Sequence, residues 1–430
     1  MIATAQLRIA RLAATPAVHR AFHWLHIHQL QLRQWQLELL RIPAPPFGEH
    51  ARAVWFLERF QQLGLTNPHL DDAGNAVAEL PAGSNPEPDP RTSNLILLSA
   101  HLDTVFPAGT PTDPTGIDTR ILAPGACDNA AGLTALLGLA AAMRHAELAA
   151  AAPILFAANV GEEGEGDLRG MRHLFTASPY SPRIAAAIAL EGGGSAAVVT
   201  RALASRRFRI NVTGPGGHSW TDAGAPNPIL ILARALLALE SLDLPHADPR
   251  TTLNIGQISG GTAINSIPAS ATAWLDLRST DSAQLQSAER ALRESLDQCI
   301  ANAPATTPAS KSESPLTSLS IEIIGDRPGG ALPDDAPLLT TLRAVDRHLN
   351  LRTEAGLGST DANIPLSLGI PAIAIGSGGL GGGIHTLQEW HDPTGRNAAL
   401  RRILLTLLDT AHLAARTEYE ALHPPPEFRV

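Results

Sequence analysis

Short, continuously apolar runs punctuate the chain. Residues 95–98 open "NLILLSAHLDTV", and "APILFAANV", "IAAAIALEG" and "IPAIAIGSGG" follow. Runs apolar at consecutive positions suit strands buried on both faces between helix layers. Helical spacings lie between them: Leu133, Leu136, Leu137, Ala140 and Met143, then Leu400, Ile403, Leu404, Leu407, Leu408 and Ala411. Strands alternating with helices predict an α/β fold around a largely parallel sheet.

The middle of the chain is patterned differently. "RRFRINVTG", "TTLNIGQISGG" and "ATAWLDLRS" alternate apolar and polar, as half-exposed antiparallel strands do. Helical patterns around 227–241 and 282–302 accompany them. An inserted α+β domain at about 203–328 is expected, inside a discontinuous outer domain of 1–202 and 329–430. "ANAPATTPASKSESPLTS" reads as a polar, proline-rich loop within the insert.

Composition narrows the partners. A net charge of −9 gives no attraction to nucleic acid or to an anionic membrane surface. Two cysteines, Cys127 and Cys299, allow one disulfide but no disulfide framework. The first residues carry spread arginines and no apolar core of signal-peptide length. No later run approaches the about 20 apolar residues of a membrane span. A soluble, cytoplasmic protein is expected. His23, His26 and His28 in "HWLHIH" could bind metal, but one face of a helix is the simpler reading.

In open α/β sheets, ligands bind at the carboxyl ends of the strands. Each inferred strand of the outer domain ends in metal-binding residue types. These are His101 and Asp103, then Glu162 with Glu163, then Glu191; Asp128 lies in the loop "GACDNAAG" and His385 in "GGGIHT". Mixed imidazole and carboxylate donors suit zinc or a pair of divalent ions. Taken singly, Asp128 also reads as a helix cap, His385 as a structural histidine and Glu162-Glu163 as a solvated turn. Their coincidence at strand ends is what raises the metal reading.

The ordered motifs "SAHLDTV", "GACDNAAG", "GEEGEGD", "ALEGGG" and "GGGIHT" resemble the co-catalytic zinc peptidase family. That family includes carboxypeptidase G, aminoacylase, succinyl-diaminopimelate desuccinylase and tripeptide aminopeptidase. The resemblance runs from about residue 36 to about 420 and takes in "GPGGHSW" and "INSIPASATAWLDLRS". It implies a zinc-exopeptidase-like three-layer catalytic domain with an inserted α+β lid or dimerisation domain, and a homodimer formed through the insert. It also implies two divalent ions per chain, zinc first, with manganese or cobalt possible. His101 and Glu191 would bind one ion, Glu163 and His385 the other, and Asp128 both. Asp103 would orient His101, and Glu162 would act as general base. His218 would stabilise an oxyanion across the dimer, and Arg278 and Asn265 would contact the substrate's free carboxylate. Cys127 reads as packing, and Asp361 in "GSTDANIP" as support for the site.

The implied activity is hydrolysis of an amide bond in a small peptide, of di- or tripeptidase type. "GEEGEGDLRG" and "STDANIPLSLGIPAIAIGSGG" look peptidase-T-like, whereas Glu191 is the residue found in carboxypeptidase-, aminoacylase- and desuccinylase-like members. An N-acyl-amino-acid amidohydrolase is the alternative. A non-catalytic metal-binding dimer is more remote, since Glu162 is intact. Glu191 also speaks against single-zinc members acting on N-carbamoyl compounds, which carry histidine there.

Overall fold

Four strands form the centre of the outer unit because their side chains are apolar on both faces. Leu95–His101, Ile154–Asn159 and Ala372–Ile375 are buried throughout, and Ile184–Leu190 at all but one position. They pair in parallel in the order Ile154–Asn159, Leu95–His101, Ile184–Leu190, Ala372–Ile375. Antiparallel neighbours extend the sheet on both sides. The hairpin of Thr66–Leu70 and Ala76–Leu80 adds to one edge, and Ala197–Ala202 to the other. The sheet is therefore mixed, with a parallel centre. The computed structural model describes residues 2–83, 94–301 and 317–422, so most of the proline-rich loop lies outside the described residues.

Helices cover this sheet. Ala130–His145 and Arg396–Leu422 pack on the central strands, and His50–Gln62 on the outer hairpin and on Ile154–Asn159. Both of the helical spacings read from the sequence form these covering helices. Three N-terminal helices, Ile2–Ala13, Pro16–Ile27 and Gln29–Leu40, add Ile9, Val18, Leu25, Leu32 and Leu39 to the same core. His23 and His26 are exposed on the second of these helices, while the His28 ring stacks on Trp24. His23 and His26 thus follow the helix-face reading, while His28 lies just past the end of the helix. Cys127 and Cys299 are both free thiols.

One buried ion pair staples two of the helices. Arg402 of Arg396–Leu422 donates to both carboxylate oxygens of Asp346 in Pro337–Leu349, at 2.6 and 2.9 Å. Removing one partner leaves an uncompensated buried charge. Asp346→Ala is expected to cost about 3–5 kcal/mol in denaturant unfolding; a loss below about 1 kcal/mol would show that the site repacks freely.

By contact the chain divides into Met1–Ala202 with Ala331–Val430, and Leu203–Gly330. The second unit is a four-stranded antiparallel sheet in the order Thr251–Gly260, Ser270–Ser279, Ala204–Thr213, Ser318–Arg327. Ser270–Ser279 alternates buried and less buried positions, the period of two expected of a half-covered strand. Its buried side chains, with Phe208 and Ile210, pack on Leu232, Leu292 and Leu296 of the helices Pro228–Glu240 and Ser282–Ala301. Among the described residues no helix is long and apolar enough to cross a membrane.

Candidate metal centre

The parallel order of the central strands brings their carboxyl ends side by side. His101 is the last residue of Leu95–His101, and Glu191 directly follows Ile184–Leu190. Asp128 precedes the helix Ala130–His145, in a loop locked by its neighbours. Asn129 Oδ1 accepts from Gly132 N at 3.1 Å and from Gly192 N at 3.0 Å, and Asn129 Nδ2 donates to the Leu190 carbonyl at 2.9 Å. One side chain thus caps the helix and ties the Asp128 loop to the strand end that carries Glu191.

The stretch "GEEGEG" folds back on itself. Gly161 has φ of +67°, and a Cβ there would lie 2.6 Å from the Arg169 side chain. A Cβ on Gly166 would lie 2.5 Å from Gly161 Cα. Only glycine permits either approach. Asn75 Oδ1 accepts from Val160 N at 2.9 Å at the entry to the turn. Asp103 then takes both backbone amides of the pair: Glu162 N donates to its Oδ1 at 3.0 Å and Glu163 N to its Oδ2 at 2.7 Å.

Asp103 serves His101 through a different atom. Its backbone carbonyl lies 3.0 Å from His101 Nδ1, while the carboxylate is 3.6 Å away. The expected carboxylate–imidazole contact is longer than a hydrogen bond because the carboxylate turns to the Glu162-Glu163 amides. Orientation of the ring passes to the main chain of the same residue.

The remaining groups converge in two matched halves. His101 Nε2 lies 3.0 Å from Asp128 Oδ1 and 3.4 Å from Glu191 Oε1. His385 Nε2 lies 3.1 Å from Asp128 Oδ2 and 3.0 Å from Glu163 Oε1. Each oxygen of Asp128 therefore faces one imidazole, and each imidazole faces one further carboxylate. Donor atoms of His101, Asp128 and Glu163 all fall within 4.8 Å of one another. His385 reaches the group from the loop between the short strands Leu380–Gly382 and Trp390–Asp392. These strands continue into Arg120–Leu122 and Thr115–Ile117 as a small separate sheet. The sequence showed only a glycine-rich loop there.

The electrostatics call for added positive charge. Burial and the charge of Asp128 push the Glu163 carboxyl up to about 7. His385, hydrogen-bonded to Asp128, is raised to about 9. Glu191 Oε2 is buried without a hydrogen-bond partner. Three carboxylates, two imidazoles and an orphaned carboxylate oxygen fit a pair of divalent cations by donor type and by charge. Burial pushes the Cys127 thiol up to about 12, and its sulfur accepts from Gly193 N at 3.1 Å, so it packs rather than attacks.

Two further buried carboxylates lie near this centre. Asp361 accepts from Asn159 Nδ2 at 2.8 Å, and burial raises it to about 7. Glu389, which the sequence reading did not single out, accepts from Gly125 N at 3.0 Å and from Cys127 N and Asp128 N at 2.8 Å each. In the second unit, His218 and Asn265 meet on a two-stranded ribbon. Gly217–His218 pairs with Ser266–Ile267, and Ser219 N donates to the Asn265 carbonyl at 3.0 Å. Both residues are exposed. Arg278 lies on Ser270–Ser279, half-buried, with Nε 2.5 Å from Asp276 Oδ2.

Comparison with known proteins gives two family matches. Residues 75–212 match Peptidase family M28, and residues 204–302 match the peptidase dimerisation domain. A probable carboxypeptidase of Aspergillus clavatus is 31% identical over 259 residues, 54% of this chain and 54% of that protein. The chain spans about half the length of the curated relatives it matches. Among solved structures, a tripeptidase from Staphylococcus aureus superposes with a TM-score of 0.69 at 22% identity, covering 89% of this chain and 98% of that one. A dinuclear metal binding peptidase of the M20 family from Bacillus subtilis gives 0.63 at 14% identity, covering 89% and 98%. At these identities the structural likeness is one of fold.

Fold, matches and the ordered motifs fit the co-catalytic zinc peptidase family. The match at 204–302 gives the catalytic unit an inserted dimerisation domain.

Proposed function

We propose that the chain is a metal-dependent exopeptidase, of di- or tripeptidase type, that hydrolyses an amide bond in small peptides. The observation that carries this reading is the division of Asp128, with one oxygen toward His101 and the other toward His385. His101 and Glu191 would hold one ion, Glu163 and His385 the other, and Asp128 both. Bound there, two divalent ions, zinc first among them, would polarise an amide carbonyl and make a water acidic near neutral pH.

The chain's own groups do the rest. Glu162 takes the proton of the attacking water and returns it to the leaving nitrogen. Asp103 holds the backbone of Glu162 and Glu163, so that adjacent carboxylates serve different tasks. His218 supplies an oxyanion contact, and Arg278 and Asn265 bind the substrate's carboxylate. Dimerisation through the insert is supported by its exposed apolar positions. Ile255 and Ile258 project from the edge strand Thr251–Gly260, and Leu230 and Leu237 from the helix Pro228–Glu240.

Stripping the protein and reloading it with zinc, manganese or cobalt is expected to restore two metals per chain and turnover together. A panel of dipeptides, tripeptides and N-acetyl-amino acids then sets the substrate class. Turnover confined to N-acetyl-amino acids would replace the peptidase reading with an amidohydrolase. No bound metal under any loading would overturn the assignment of all five ligands.

A further inference from the structure

The groups that converge on the candidate metal centre are charged, but two segments of the same unit beside it expose apolar side chains. Ile384 and Leu387 are exposed on the loop that presents His385. Ile384 is its immediate neighbour and Leu387 lies two residues on. Tight turns hold this loop: Thr386 N donates to the Gly383 carbonyl at 2.9 Å, and Glu389 N to the Thr386 carbonyl at 3.1 Å.

Phe47 stands on the second segment. The Ala44 carbonyl accepts from Thr104 N at 2.9 Å, which ties this stretch to the strand end that carries His101 and Asp103. Arg169 fixes it from the other direction. Its guanidinium carbon lies 5.2 Å from the centre of the Phe47 ring, within cation–π range. Its Nη2 donates to Glu49 Oε2 at 2.6 Å, and its stem packs on Gly161, one residue before Glu162. Phe47 is therefore held between the strand end of His101 and the turn of Glu162 and Glu163. It has φ of +66° and is 66% exposed. A bulky residue is disfavoured in the left-handed region, where glycine would serve the turn. Burial does not offset that cost, because most of the ring faces water. Scattered exposed apolar residues are ordinary. A strained aromatic one, pinned by a cation beside a reaction centre, points to contact with a ligand.

We propose that Phe47, with Ile384 and Leu387, forms an apolar rim that selects peptides carrying a bulky apolar side chain, of leucine or phenylalanine type, next to the cleaved amide. The inference rests on the peptidase reading and adds the substrate class to it. The imidazoles and carboxylates of the centre act on the amide, which all peptides share, so discrimination among side chains falls to the rim.

The test uses the full chain loaded with zinc. The first readout is kcat/KM for Leu-Gly, Ala-Gly and Asp-Gly and for the reversed dipeptides. The second is calorimetric Kd for leucine hydroxamate against glycine hydroxamate, which needs no turnover. A preference for leucine over alanine on one side of the bond is expected, on the order of 10-fold. Phe47→Gly should bring it near unity while relieving the backbone, so folding is not at risk, and Tm checks this. Leu387→Ala should lower it in the same direction, and Phe47→Leu should keep most of it. Equal rates for leucine, alanine and aspartate substrates would overturn the inference and leave the peptidase reading standing. So would a preference unchanged in both Phe47→Gly and Leu387→Ala. Turnover of no peptide, with leucine hydroxamate still bound more tightly in a manner that Phe47→Gly removes, would overturn the peptidase reading and keep the rim. No turnover and equal Kd for the two hydroxamates would overturn both.

Discussion

Glu162→Gln is expected to lower kcat by about 10²–10⁴-fold, the range of a removed general base, with bound metal unchanged. The substitution keeps the size of the side chain and removes its capacity to take a proton. The backbone hydrogen bond from residue 162 to Asp103 Oδ1 does not involve the side chain, so the turn should hold. Glu163, whose carboxylate faces His385, is untouched. Parallel measurement of kcat and of metal per chain separates the roles of the two neighbours. Loss of metal in Glu162→Gln would make Glu162 a ligand. Wild-type turnover would remove it from the chemistry.

The centre of the sheet was legible in the sequence for a specific reason. Strands buried on both faces must be apolar at every position, and parallel pairing then puts their carboxyl ends on one edge. His101, Glu162-Glu163 and Glu191 could therefore be placed as strand-end groups. The antiparallel margins were not read, and of the three N-terminal helices only the stretch around His23–His28 was. The small sheet that presents His385 is built from strands of three residues, such as Thr115–Ile117 and Trp390–Asp392. Three residues are too few to show a period. The carboxylate of Asp103 was assigned to His101 by the resemblance to the co-catalytic zinc peptidases. Its actual partners, the amides of Glu162 and Glu163, lie about 60 positions away and carry no residue-type signal.

Glu389 shows the same blindness with the larger consequence. In "HTLQEWHD" it looks like a solvated loop residue, yet it is fully buried and accepts from three backbone amides of the loop that ends in Asp128. Those partners are more than 260 residues away in sequence. No side chain advertises them, because the donors are main-chain N–H groups. Glu389→Ala is expected to destabilise the chain by about 3 kcal/mol, since an unpaired buried donor costs about 1–3 kcal/mol and the loop can relax in part. For a chain of 430 residues that corresponds to a fall in Tm of about 3–5 °C. Because Asp128 sits on the same loop, metal affinity should fall by about 10–100-fold, the usual cost of removing a group that orients a ligand. Glu389→Gln separates the two effects. Its remaining oxygen can accept from Cys127 and Asp128, but its amide would face the Gly125 N–H donor to donor. An intermediate Tm with most of the metal affinity kept would assign the metal effect to the Cys127 and Asp128 contacts. Wild-type Tm and metal affinity in Glu389→Ala would mean that the Asp128 loop holds its shape without this carboxylate.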